Sequence, residues 1–208
     1  MIGFEYITLI DHYDSFTFNV VEWLKSGAST KLPYQVKRIA YDDQHSMEQV
    51  FHTKNPVVFS PGPNRPSDVG PSIALCEYLI GRVPILGVCL GHQILGQIAG
   101  GSIGKYCRPF HGSSLTINFS ENDQLYKNID SPLNMAIYHS LSVQEPDKFK
   151  EFWSVNARDE NGEIMGLVFR EASKAPALGV QFHPESFLSQ QADILLNNFL
   201  AEINSYYF

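Results

Sequence analysis

The chain has 208 residues, a formal net charge of −7, 44% hydrophobic residues and 18% charged residues. Such a composition belongs to a folded globular protein able to bury a substantial core, not to a disordered one. With no basic run it argues against a nucleic-acid or anionic-membrane surface, since both reward clustered Lys and Arg. Three widely spaced cysteines, Cys76, Cys89 and Cys107, make neither a disulfide framework nor a C-x-x-C zinc pair, and fit a reducing compartment. No signal peptide is readable, and the longest apolar run, 83–90, is too short to span a bilayer. The expected location is therefore cytoplasmic.

In chain order, residues 6–10 predict a buried strand that ends in the loop 11–15. Asp14 or Ser15 can cap a helix whose apolar face is Phe16, Val20, Val21 and Leu24, stopping near Gly27. Residues 34–39 and 56–59 predict a second and a third strand, and 73–80 a helix opened by Pro71 and Ser72. The run 83–88 predicts a strand that leads directly into a helix over 91–98. Strands alternating with helices imply crossovers and a parallel sheet. In the second half, 114–119, 152–157 and 164–169 read as shorter strands, with Asn161-Gly162 at a hairpin turn. Residues 178–182 return to the buried-strand type, and 192–203 form an amphipathic closing helix. With no repeat or linker, one domain over 1–208 is expected: an α/β fold with a mixed, mostly parallel sheet.

Cys89 lies at the junction of a strand and a helix, inside Gly87-Val88-Cys89-Leu90-Gly91. A lone cysteine is usually a small core residue, the reading kept for Cys76 on a helix's apolar face and for Cys107 in a loop or edge. The G-x-C-x-G spacing reverses it for Cys89. A sharp strand-to-helix turn holds the side chain clear of the sheet, and small neighbours relieve the crowding. The helix N-terminus favours a thiolate, and Leu90 N–H is placed to donate to an oxyanion. Gln93, four residues on, shares the helix face and can hold a polar substrate, although a helix glutamine more often faces solvent.

His183 and Glu185 flank Pro184, which keeps the segment extended so that both side chains lie on one side. The carboxylate can orient the imidazole while the imidazole handles the thiol proton. On its local sequence, His183 is equally a surface histidine at a strand end. His12 and Asp14 have the same offset and compete, although Asp14 is better explained as a helix cap and His12 as part of a polar turn. His92 is expected to pack against the elbow loop, and His139 and His111 are loop candidates for touching a substrate or partner. In Ser60-Pro61-Gly62-Pro63 the prolines lack N–H groups, so Gly62 is the sole donor of a stiff loop suited to an oxyanion hole. A plain Pro/Gly turn is the bland alternative.

Together these segments resemble the class I, triad-type glutamine amidotransferases, above all the small subunits of anthranilate synthase and aminodeoxychorismate synthase. The residues that carry the resemblance are 11–17 (Asp-His-Tyr-Asp-Ser-Phe-Thr), 60–63, 87–93, His111-Gly112, 138–141 (Tyr-His-Ser-Leu) and 181–186 (Gln-Phe-His-Pro-Glu-Ser). The resemblance implies a flavodoxin-like core with a small antiparallel addition. It implies Cys89 as nucleophile, His183 as base, Glu185 as its orienter, and the backbone at Gly62 and Leu90 as oxyanion hole. Gln93 and the Ser140-Leu141 backbone would hold L-glutamine. A thioester would form as ammonia leaves, with no metal or organic cofactor. The ammonia would pass to a chorismate-using synthase subunit, the large subunit of either synthase, and the product is left open. A stand-alone γ-glutamyl hydrolase and a non-catalytic regulatory partner are the competing readings. The chain departs from the family at His12, where Asn is common, at Asn64-Arg65, where Gly is usual, and at Ser113, where Lys is frequent. The segment 27–34 is slightly long. These departures are expected near the partner surface.

Overall fold

The computed structural model describes residues 3–26, 34–106 and 113–208. Cys107, His111, Gly112 and the segment 27–33 lie outside the described residues, and so does the side chain of Ser113. The strands are β1 (Tyr6–Asp11), β2 (Gln35–Ala40), β3 (Val57–Phe59), β4 (Ile85–Val88), β5 (Ser102–Lys105), β6 (Ser113–Phe119), β7 (Leu133–Ile137), β8 (Leu141–Gln144), β9 (Trp153–Asp159), β10 (Ile164–Phe169) and β11 (Ala177–Val180). The helices are α1 (Thr17–Ser26), α2 (Gln44–Val50), α3 (Gly70–Leu79), α4 (Leu90–Ile98) and α5 (Ala192–Tyr207).

Among the described residues one sheet has nine strands in the order β2-β1-β3-β4-β11-β10-β9-β6-β7. The first five run parallel, in the flavodoxin-like order. From β10 onward the pairing is antiparallel, and β9 and β10 are joined by the expected hairpin. There Gly162 takes φ 84°, while the Asp159 carboxylate accepts from the N–H groups of Asn161 and Glu163. A separate two-stranded antiparallel sheet pairs β5 with β8; it forms the small addition.

β1, β3, β4 and β11 are buried on both faces, which explains their near-continuous apolar runs, whereas the edge strand β2 is largely exposed and carries Lys37 and Arg38. Alternation sends Ile7, Leu9, Val58, Leu86, Val88, Leu178 and Val180 toward α1 and α5. It sends Ile10, Val57, Phe59 and Ile85 toward α2, α3 and α4. Each fully buried Leu or Ile stabilises this sandwich by roughly 1.5–3 kcal/mol. The register pairs Ile10 with Phe59, Phe59 with Gly87 and Val88 with Val180. The carboxyl ends of β1, β3, β4 and β11 therefore finish at one level, where open α/β sheets bind their ligands.

Four elements are absent from the sequence reading. α2 buries only Met47 and Val50, and its start is marked by the Asp43 side chain accepting Ser46 N–H at 3.2 Å. β5, β7 and β8 were not anticipated either. No helix among the described residues is long and apolar enough to cross a membrane.

Candidate active site

β4 ends at Val88 and the chain turns at once into α4. Cys89 occupies that turn with φ 52° and ψ −100°, a conformation that an L-residue keeps only when its surroundings impose it. They do so from two sides. Cys89 N–H donates to Val180 O at 2.9 Å, and Cys89 O accepts Gln93 N–H at 3.0 Å. The flanking glycines answer to close approach. A Cβ on Gly87 would stand 2.5 Å from the Gly91 carbonyl, and one on Gly91 would stand 2.3 Å from Phe59 O. A larger residue at Gly87 would push α4 off β4, and one at Gly91 would push it off β3. Cys76, by contrast, is enclosed by the core, and burial pushes its thiol far up.

At the end of β11 the chain brings His183 against Cys89. His183 N–H donates to Ala136 O at 2.9 Å and its carbonyl accepts from Ser189 Oγ at 2.6 Å, so its backbone is held on both sides. Its Nδ1 lies 2.7 Å from Glu185 Oε1, with both side chains buried. Its Nε2 has no hydrogen-bond partner among the described residues, which leaves that nitrogen for the neighbouring Cys89 thiol. Burial works against a charged imidazole here. Cys89 and then Glu185 outweigh it and raise the His183 pKa well above its ordinary value. In either charge state Nδ1–H donates to Glu185, which leaves Nε2, protonated in the charged form, for the sulfur. The rings of Tyr138 and Phe16 meet the imidazole in T-shaped contacts, with centroids 5.0 and 5.9 Å away.

A cavity of about 420 Å³ opens over Cys89 and His183, lined also by Gly62, Gln93, Ser140 and Leu141. Leu90 and Glu185 stand behind this lining. The structure thus gathers all eight candidate residues around one cavity. Gln93 is almost fully buried rather than facing solvent. Its Nε2 donates to Leu141 O at 3.1 Å and to Gln181 Oε1 at 3.3 Å, which leaves Oε1 for a ligand. Ser140 O is occupied by Tyr106 N–H at 2.9 Å.

Several expectations need correction. His12 is not in a polar turn; it is fully buried, and both of its ring nitrogens are taken by Ser60 and Ser72 rather than paired with Asp14 as a competing base. Its Nδ1 lies 3.2 Å from Ser60 O, and its Nε2 lies 2.9 Å from Ser72 Oγ. Nδ1–H thus donates to the carbonyl and Nε2 accepts the serine hydroxyl. Burial lowers its pKa to about 4 against weaker opposing effects of the Ser60 carbonyl and Asp11. His12 therefore departs from the family inside the molecule, not at a partner surface, whereas Asn64 lines the cavity and Arg65 is exposed. His92 packs over Gly179 of β11 rather than against the elbow loop. Phe16 precedes α1 and stacks on Tyr138 at 4.7 Å over the cavity instead of serving the helix's apolar face. His139, as anticipated, reaches the cavity. Asp14 accepts Phe16 N–H at 2.8 Å just ahead of α1.

Gln181, Phe16 and Tyr138 are the contributors that sequence reasoning missed. Gln181 sits in a segment already singled out, but a lone glutamine at a strand end carries no signal of its own.

The glutamine amidotransferase class-I family matches residues 8–203. The chain belongs to that family. Among relatives of this amidotransferase is aminodeoxychorismate synthase component 2 of Escherichia coli, 39% identical over 93% of this chain and 98% of the relative. Anthranilate synthase component 2 of Pseudomonas putida is 36% identical over 94% and 96%. The bifunctional protein TrpGD of Thermotoga maritima is 38% identical over 93% of this chain, which spans only 32% of that longer relative. Two solved structures share the fold. A putative GMP synthase protein from Thermoplasma acidophilum has a TM-score of 0.77 at 18% identity, covering 98% of this chain and 96% of that one. A glutamine amidotransferase from Thermotoga maritima has a TM-score of 0.71 at 15% identity, covering 98% of each chain.

Proposed function

We propose that this amidotransferase hydrolyses L-glutamine to glutamate at Cys89 and passes the ammonia to a chorismate-using synthase subunit. The observation that carries the reading is the strained Cys89 facing a His183–Glu185 pair at the floor of the cavity. A cavity of about 420 Å³ falls within the size range of small-ligand sites, roughly 300–1,000 Å³.

The geometry supports the following course. His183, charged and held by Glu185, pairs with the Cys89 thiolate. The sulfur attacks the carboxamide carbon, and the N–H groups of Leu90 and Gly62 receive the developing oxyanion. His183 gives its proton to the departing nitrogen, which leaves as ammonia, and a thioester forms. Water, deprotonated by His183, attacks the thioester through a second oxyanion and frees glutamate with return of the thiolate. Gln93 Oε1 and the Ser140-Leu141 backbone position the substrate.

A partner beside the cavity is supported by exposed aromatic surface. Phe187, two residues past Glu185, is 88% exposed, and Tyr13 and Phe18, on either side of Phe16, are 55% and 65% exposed. The relatives named as second components of the two synthases support a chorismate-using partner and leave the product between anthranilate and 4-amino-4-deoxychorismate.

Glutamate release from glutamine tests the reading, assayed alone and with each chorismate-using synthase subunit of the same cell. Low activity alone and activation by one subunit is the expected result, and it names the product. Hydrolysis of γ-glutamyl peptides unaffected by any partner would instead favour a stand-alone hydrolase. The oxyanion assignment has its own test. A Cβ at Gly62 would stand 2.6 Å from Leu90 Cδ2 and 2.7 Å from His12 Cβ, so Gly62→Ala displaces the donor. Its expected cost is about 10²-fold in kcat, the scale of one lost oxyanion donor. An unchanged kcat would remove Gly62 from the hole.

A further inference from the structure

Gln181 stands one residue past β11 and its side chain is fully buried. Its N–H donates to Met165 O at 3.0 Å, so its backbone is fixed to β10. Among the described residues the side chain makes two hydrogen bonds, both with the site. Oε1 accepts from Gln93 Nε2 at 3.3 Å, and Nε2 points to Cys89 Sγ at 3.7 Å, within hydrogen-bonding reach of the larger sulfur atom. The amide cannot be turned over without loss. A flip would set two NH2 groups against each other at Gln93 and aim a carbonyl oxygen at the sulfur.

We propose that Gln181 is a catalytic residue: its side-chain amide donates to the Cys89 thiolate and, through Gln93, locks the carboxamide that meets glutamine. This deepens the reading above and rests on Cys89 being the nucleophile. The thiolate then has two partners, His183 on one side and Gln181 on the other. A hydrogen bond to the charged form favours that form, so Gln181 raises the share of Cys89 ready to attack. The same N–H serves the second half of the reaction, because the thiolate is the leaving group when water cleaves the thioester. The lock on Gln93 is geometric. With one Nε2 hydrogen on Leu141 O and the other on Gln181 Oε1, Gln93 can turn only its oxygen toward the substrate.

The test is alkylation of Cys89 by iodoacetamide across pH, followed at that residue by mass spectrometry, together with glutamine turnover. Gln181→Met keeps the length and removes the donor. Gln181→Glu keeps the size and the acceptor for Gln93 but sets a carboxylate oxygen against the sulfur. In Gln181→Met the profile is expected to slide to higher pH, so that alkylation at pH 6 falls about tenfold while the plateau at high pH is unchanged. In Gln181→Glu it falls further. kcat for glutamine drops about tenfold or more in both. Profiles superimposable on wild type in both variants would overturn the proposal, as would equal slowing at every pH. If Gln181→Met fails to fold, Gln181→Glu, which retains the contact to Gln93, carries the comparison. Alkylation reports on the sulfur whatever the substrate. A wild-type protein that releases no glutamate, with variants that still shift the profile, would separate failure of the functional reading from failure of this one.

Discussion

Cys89→Ala is expected to lower glutamine-dependent product formation about 10⁴- to 10⁶-fold, while the synthase partner keeps its full rate with free ammonia. The size follows from removing the atom that forms the covalent bond. Loss of a nucleophile in a cooperating set costs about as much as loss of the whole set. The fold should survive. Alanine meets the same backbone restriction at φ 52° and ψ −100° as cysteine does, and the anchors on either side are backbone bonds to Val180 and Gln93 that need no side chain. His183→Ala is expected to act on the same scale and not to add to Cys89→Ala, because each removes the same ion pair. The measurement is product formation by the assembled synthase with glutamine and, separately, with ammonium at alkaline pH. Loss of both activities in Cys89→Ala would mean that the residue serves assembly, and the assignment of Cys89 as nucleophile would fall.

The same pair shows why part of the site was legible in the sequence. Cys89 is marked by its immediate neighbours, because the glycines that let β4, α4 and β3 approach are themselves adjacent in the chain. His183 and Glu185 are two residues apart, so their contact is local; the chain between them is a turn, closed by Ser186 N–H donating to His183 O at 3.2 Å, rather than the extended segment expected. Gln181, Phe16 and His12 are different. Gln181 meets Gln93 across 88 residues, and His12 meets Ser60 and Ser72 across 48 and 60. Only the parallel register that levels the ends of β1, β3, β4 and β11 creates those contacts. The same distinction holds for the fold. The inner parallel strands β1, β3, β4 and β11 announce themselves by apolar runs that both faces demand. β7 carries Asn134 amid its apolar residues, and β8 is a four-residue strand that, among the described residues, pairs with β5 alone. Their identity is decided by neighbours far away in the chain.

Mild acid is expected to destabilise this domain steeply, and the cause is buried imidazole rather than carboxylate. Burial lowers the pKa of His12 and of His139 to about 4 and that of His92 to about 3. For His139 the nearby His183 adds to that lowering, and for His92 it is His139 that does so. In the unfolded chain each returns to its ordinary value near 6.5. Between about pH 6.5 and pH 4 the unfolded state therefore binds more protons, and stability falls as pH falls. At pH 4.5 each group costs on the order of 2–3 kcal/mol, so the three together rival the roughly 5–15 kcal/mol that holds a typical domain. His183 has the opposite sign. Its raised value makes its contribution fully present below pH 6.5 and lost only as pH climbs through the folded value, so it adds nothing to the acid loss. Urea unfolding at half-unit steps from pH 7.5 to 4.5 should show the midpoint dropping below pH 6.5. His12→Asn, which cannot titrate, should lower the starting stability yet flatten the acid slope by about one third. A midpoint constant down to pH 5 would mean that these imidazoles reach protons without unfolding, and the burial argument would fail for all three.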